Sequence, residues 1–201
     1  MSATVLYYSD NVIPETLQRL CLSWLRIAVG NLPIVSVTFE PLDLGTNIVV
    51  GKQRRSEKQL YRQMEVGVQA IKTTHVYCAE HDVVYPQSHF QLPEPERVMY
   101  DQNRVFLTSR GWLPSTKTYP MSGVVANRDE LLRCVQERLK DRAWRPNPAY
   151  PVCWGKDSFI DIRWGGNYTG NRGGPNSKYV GTVPYWGHYK PWLVYLELDK
   201  I

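Results

Sequence analysis

The 201-residue sequence predicts an α/β fold built on a mainly parallel sheet flanked by helices. Three observations predict it. Short apolar runs stand at residues 4–8, 34–39 and 75–79; amphipathic stretches separate them; and a polar cluster follows the first and third. Strand and helix alternating from the N-terminus imply right-handed crossovers and parallel strands. In such sheets a ligand lies beyond the carboxyl ends of the strands, so the loops after Tyr8, Phe39 and Ala79 are expected to share one crevice.

Each element has its own warrant. The run 4–8 ends at Ser9-Asp10-Asn11, a strand entering a loop. Pro14 suits the first turn of a helix, and Leu17, Leu20, Trp24 and Ile27 then share one face, with Gly30-Asn31 and Pro33 as the stop. The β-branched run 34–39 is a second strand. Ser56 with Gln59 makes a capping box ahead of the stripe Leu60, Met64, Val68 and Ile71. A third strand, 75–79, ends at Glu80-His81-Asp82. Residues 98–100 and 105–108 are expected to pair as antiparallel neighbours, and Asn127 with Glu130 caps a helix through Leu131, Leu132, Val135 and Leu139. Beyond Pro146 periodicity fades, apart from a strand expected at 192–198.

Hydrophobic content of 43% with 21% charged residues excludes wholesale disorder. The best apolar stretch, 20–29, is short and carries Ser23 and Arg26, so no membrane span is expected. The N-terminus lacks the basic and apolar regions of a signal peptide, which reads as a cytoplasmic protein. Cys21, Cys78, Cys134 and Cys153 are too scattered for a zinc knuckle or a disulfide scaffold. The net charge of +5 is uneven: residues 52–72 hold six basic and two acidic side chains. The segment 144–201 holds seven basic, four acidic, five of the seven Trp and eight of the fourteen Gly, and reads as an irregular contact surface.

Glu80-His81-Asp82 is the sharpest chemical signal. Hard oxygen ligands on a turn at a strand end suit Mg²⁺ or Mn²⁺ bridging a substrate diphosphate, where the metal stabilises the leaving phosphate; an acidic turn that only solvates the strand end is the alternative. Lys52, Arg54 and Arg55 precede the helix capped by Ser56, and a helix N-terminus beside guanidinium groups is a workable diphosphate site; a solvated basic loop is the alternative.

The order of parts resembles the GT-A fold glycosyltransferases. Glu80-His81-Asp82-Val83-Val84-Tyr85-Pro86 is similar to their Asp-any-Asp motif after a central strand, with Glu in the first position. The run from Ser122 to Leu132 resembles the family's acceptor-side strand and helix, and residues 159–163 and 165–170 resemble a C-terminal stretch of compact phage and bacterial members. The resemblance implies a single domain over 1–201, with nucleotide-sugar binding in 1–110 and acceptor binding in 111–201. It implies a donor, UDP-sugars favoured, held by Tyr8, Ser9, Asp10, Arg54, Arg55 and Glu80. A divalent metal, Mn²⁺ or Mg²⁺, would sit at Asp82, and His188 would complete its coordination from the C-terminal part. An inverting transfer needs a carboxylate base, for which Asp161, Asp157 and Asp129 are candidates: Asp161 in an apolar run, Asp157 in a more open loop. Residues 165–174 supply a glycine-rich loop that closes over donor and acceptor, or a plain flexible one.

The resemblance to phage members extends to an acceptor: a hydroxymethylated base in DNA. Arg145, Lys156, Arg163, Arg172, Lys178 and Lys190 would follow the phosphates, and Trp164, Tyr168, Tyr179, Trp186 and Tyr189 would offer faces to an extruded base. The other acceptor is a saccharide, with the same rings packed on the sheet or stacked on sugar. Two alternatives to glycosyl transfer stay open. One is a nucleotidyltransferase, although the loop Ser9-Asp10-Asn11 has no glycine; the other is a non-catalytic nucleic-acid-binding module.

Overall fold

The computed structural model describes residues 3–115, 119–140, 150–164 and 178–197. The chain runs β1 (Ala3–Ser9), α1 (Glu15–Val29), β2 (Ile34–Thr38), β3 (Thr46–Val49), α2 (Glu57–Ala70), β4 (His75–Glu80) and β5 (Val83–Val84). It continues β6 (Val98–Asp101), β7 (Arg104–Thr108), β8 (Gly111–Pro114), β9 (Val124–Asn127), α3 (Arg128–Lys140), β10 (Val152–Cys153) and β11 (Phe159–Ile162). The hairpin β12 (Thr182–Val183) and β13 (Gly187–His188) precedes the short α4 (Val194–Glu197).

A seven-stranded sheet has the order β10-β6-β9-β4-β1-β2-β3. Its β4-β1-β2-β3 part is parallel, as the strand–helix alternation predicts, and β9 runs antiparallel between β4 and β6. Alternation along β1 divides its side chains between two apolar clusters. Leu6 and Tyr8 pack with α2 and α3 through Met64, Val68, Leu131 and Val135; Val5 and Tyr7 pack with α1 through Leu22 and Leu25. Gly67 lets α2 lie close to the sheet, since a Cβ there would meet Leu6 Cδ1 at 2.2 Å.

A second sheet, β5-β11-β7-β8, packs on the remaining side of α1. This corrects the stripe expected for α1. A helix touched by two sheets buries a wider surface, here Leu17, Cys21, Leu22, Leu25, Ala28 and Val29, and Ile27 is 68% exposed. Gly30 ends the helix at φ 57°.

Two other expectations are corrected. The strands at 98–101 and 104–108 do not pair with each other: β6 takes β9 and β10, and β7 takes β8 and β11. The chain divides at buried Asp101, whose Oδ1 accepts the amides of Asn103 and Gly155 and whose Oδ2 meets His89 Nδ1 at 2.9 Å. These bonds turn the chain from one sheet to the other. The strand expected at 192–198 is a 3₁₀ turn, Lys190–Trp192, followed by α4, and Leu198 lies outside the described residues. Helical spacing brings Tyr195 to Trp192, with ring centroids 6.3 Å apart, and Trp192 also packs on Trp24, Trp112 and Trp186.

The helix caps form as expected at α2 and α3. Ser56 Oγ accepts the Gln59 amide at 3.1 Å, and Asn127 Oδ1 accepts those of Asp129 and Glu130. Three cysteines are buried and Cys153 is half-buried, all as free thiols. No helix among the described residues is long and apolar enough to cross a membrane.

Candidate active site

A cleft of about 490 Å³ opens beyond the carboxyl ends of β1, β2 and β4, where the parallel topology predicts it. It lies within the usual range of small-molecule sites, roughly 300–1,000 Å³. One wall comes from the loops after β1 and β2 and from α2, the other from the second sheet and residues 119–122.

The first wall is a hydrogen-bonded frame. Arg55 Nε donates to Asp10 Oδ2 at 2.5 Å, and Asp10 Oδ1 accepts the Val12 amide. Asn11 takes a left-handed conformation, φ 57°, which asparagine tolerates better than most residues. Its Oδ1 accepts the amides of Phe39 and Glu40, tying the two loops together. Ser9 Oγ and His81 Nδ1 lie 2.9 Å apart, and the His81 ring stands between Asp10 and Asp82.

The acidic turn joins the two sheets. Glu80 ends β4, and after His81 and Asp82 the chain enters β5, which pairs with β11. The register sets Asp161 opposite Val83, one residue from Asp82. Tyr8 donates its hydroxyl to Glu80 Oε1 at 3.0 Å. Burial, then the nearby Asp82 and Asp161 carboxylates, push the Glu80 acid up to about 8.

The second wall carries a buried ion cluster. Arg104 Nη1 and Arg163 Nη2 donate to Asp161 Oδ2 at 3.2 and 2.7 Å, and both guanidinium groups stack on Phe106, 4.5 and 4.6 Å from its centroid. The alternation of Phe159-Ile160-Asp161-Ile162-Arg163 explains the placement. Ile160 and Ile162 face the apolar cluster with Leu107 and Trp112, which leaves Asp161 and Arg163 for the cleft.

Tyr8, Ser9, Asp10, Arg55, Glu80, Asp82 and Asp161 therefore line one cleft. Arg54 is exposed outside its lining. Asp157 accepts the Ser88 hydroxyl at 2.9 Å and is also outside it, as is Asp129, which pairs with Arg128 at the surface. His188 lies on the β12–β13 hairpin, exposed and stacked on Tyr189, and is not among the residues that line the cleft. The glycine-rich loop 165–174, with Tyr168 and Arg172, and likewise Arg145, fall outside the described residues. Among the rings expected to meet a base, Trp164 and Trp186 are buried; Trp186 packs on Trp24 and donates Nε1–H to Ser158 O. These tryptophans build core.

Sequence reasoning missed Gln59, Gln63, Arg104 and the cleft role of Arg163. The signal available for Arg163 was polar residues at alternate positions of an otherwise apolar strand.

No protein-family model and no curated protein matches the chain. Among solved structures, it resembles 2-C-methyl-D-erythritol 4-phosphate cytidylyltransferase from Thermus thermophilus, with a TM-score of 0.54 at 9% identity over 100% of both chains. It also resembles S. aureus TarS in complex with UDP-GlcNAc, with a TM-score of 0.51 at 11% identity over 90% of this chain and 62% of that one. The apo-form glycosyltransferase GlyE of Streptococcus pneumoniae matches 76% of this chain at 10% identity and a TM-score of 0.43; the chain spans 45% of its length. At these identities the likeness is one of fold. The fold is of the GT-A type of nucleotide-diphospho-sugar transferases, which nucleotidyltransferases share.

Proposed function

We propose that the protein is a metal-dependent glycosyltransferase that moves a sugar from a nucleoside diphosphate donor, a UDP-sugar first, to a hydroxyl acceptor. One observation carries this reading: the acidic turn Glu80-His81-Asp82 shares a single cleft with the Asp10–Arg55 pair and the Arg104–Asp161–Arg163 cluster. That cleft offers cationic groups for a diphosphate and carboxylates for a metal and a proton. The fold likeness to TarS with UDP-GlcNAc supports the donor class. In the transfer the acceptor oxygen bonds to the anomeric carbon as the bond from that carbon to the diphosphate breaks. The nucleoside diphosphate leaves, and the hydroxyl proton passes to Asp161, the candidate base that lines the cleft.

The residues fit a divalent cation of the Mg²⁺ or Mn²⁺ type. Among the described residues no three His, Cys, Asp or Glu side chains are grouped to hold a metal. One or two carboxylates completed by substrate phosphates is the usual mode for Mg²⁺. Asp82 would be the ligand, because Glu80 Oε1 already accepts the Tyr8 hydroxyl. When bound, the cation offsets charge on the leaving diphosphate. Asp82→Ala is expected to lower transfer by at least about 100-fold and to leave the unfolding midpoint unchanged. Metal-dependent turnover at the wild-type rate would end the assignment.

The acceptor is proposed as DNA carrying a hydroxymethylated base, with a saccharide as the competing acceptor. Exposed Lys156, Lys178 and Lys190 support a phosphate-bearing partner. Incubation with Mn²⁺, labelled nucleotide sugars and hydroxymethylated DNA, then mass analysis of the nucleosides, tests it; transfer to saccharide alone would exclude DNA. The full-length likeness to a cytidylyltransferase favours a second reading, nucleotidyl transfer to a sugar phosphate. Pyrophosphate release from a nucleoside triphosphate plus a sugar phosphate would establish that reading instead.

A further inference from the structure

Gln59 and Gln63 lie one turn apart on the same face of α2, both buried and both lining the cleft. Gln63 is 4% exposed, and its Nε2 donates to Ser9 O at 2.8 Å and Val37 O at 3.0 Å. Those carbonyls belong to the carboxyl ends of β1 and β2, at the mouth of the parallel sheet. Two carbonyl acceptors decide which way the carboxamide points, because the flipped group would set oxygen against oxygen twice. With both amide hydrogens committed, the carboxamide of this cleft-lining residue is held in one orientation, which leaves Oε1 as its acceptor. The Gln59 backbone is held by the Ser56 cap, while its carboxamide lies along the cleft with no hydrogen-bond partner among the described residues. Four residues before Gln63 on the same helix, it is able to donate into the same cleft.

We infer that Gln63 and Gln59 read the base of the donor nucleotide, and that this base is uracil; the inference rests on the proposed function. A fixed acceptor next to a donor is matched by a base edge with an N–H beside an acceptor, and best by one that offers an acceptor on both sides of the N–H. Uracil presents N3–H between two carbonyls, so the Gln59 donor finds an acceptor whichever way the ring faces. Cytosine has an acceptor at ring N3 and donates only from its exocyclic amine, so it matches the pair in one pose at most. The two residues are specificity-determining contacts on the part of the donor that does not react.

Calorimetry with UDP, 3-methyl-UDP and CDP, each with Mn²⁺, tests the inference. For the wild-type protein, N3-methylation is expected to weaken binding about tenfold or more, the scale of a buried acceptor left without its donor. CDP is expected to bind more weakly than UDP. In Gln63→Met, UDP weakens and the methylation penalty falls to about twofold or less. In Gln59→Met, UDP weakens while the penalty persists. Equal binding of UDP and 3-methyl-UDP, or CDP binding at least as tightly as UDP, would overturn the inference. Should Gln63→Met not fold, the wild-type series decides by itself. Absence of binding by all three nucleotides would instead overturn the proposed function, and this inference with it.

Discussion

The two faces of β11 make the most instructive contrast in the molecule. Ile160 and Ile162 face an apolar cluster with Leu107, Trp112 and Trp186, while Asp161 faces the cleft and binds two arginines on the same wall. Both regions draw on the C-terminal segment whose composition, basic and aromatic together, reads as one contact surface. The fold separates the two ingredients: tryptophans are spent on holding the second sheet against α1, and arginine goes to the site. Composition averaged over a segment hides a division made residue by residue along a strand.

The contrast is broken most directly by paired substitutions. Trp112→Ala is expected to cost about 3–5 kcal/mol of stability, the scale of a large core truncation, while the folded protein keeps its UDP affinity. Asp161→Asn is expected to cost about 3–5 kcal/mol, because two buried guanidinium groups lose their shared charge partner, and to lower UDP affinity or turnover as well. Urea midpoints and calorimetry on the folded variants measure both. If Trp112→Ala weakened nucleotide binding as much as Asp161→Asn, the two faces would not be functionally separate.

A smaller effect sharpens the same contrast within the basic loop before α2. Arg55→Ala removes a charge-assisted bond to Asp10 at the cleft and is expected to weaken nucleotide binding by about 1.5–3 kcal/mol. Arg54→Ala, outside the lining, is expected to change it by less than about 0.5 kcal/mol. Equal losses would place the diphosphate over the loop rather than within the cleft.

A further effect is a slope. Glu80 is raised from 4.5 to about 8, so between those pH values the folded state holds a proton that the unfolded chain has lost. Stability from this group is therefore full at pH 4 and declines as pH rises through 8, by at most about 1.4 kcal/mol per pH unit. Unfolding midpoints measured from pH 5 to 9 with a chelator present should fall for wild type and flatten for Glu80→Gln. A variant with the wild-type slope would assign that proton to another group.

The strands of the parallel sheet and the helix caps were legible because their signals are local. Ser56 and Asn127 cap helices three residues ahead, and the runs in β1, β2 and β4 are long enough to read as strands. The crevice followed from topology, which brought Tyr8, Ser9, Asp10 and Asp82 together. The second sheet was not legible, because β5 has two residues and is defined only by its register with a strand nearly eighty positions later. Gln63 stayed hidden for a related reason: a glutamine on a helix face reads as solvated until Ser9 and Val37 are known to lie over it. His188 has a residue type suited to metal, but the chain carries it onto a separate hairpin.

The turn at residues 80–82 has a mechanical consequence. It is where the seven-stranded sheet hands the chain to the four-stranded one, and the cleft straddles that seam. A ligand gripped by α2 and the β1 loop on one side and by β7 and β11 on the other acts as a staple between two hydrogen-bonded blocks. Its binding free energy then adds to the work of prising the blocks apart, growing with the logarithm of ligand concentration. Hydrogen exchange at the amides of β5 and β11 should slow as the cleft fills.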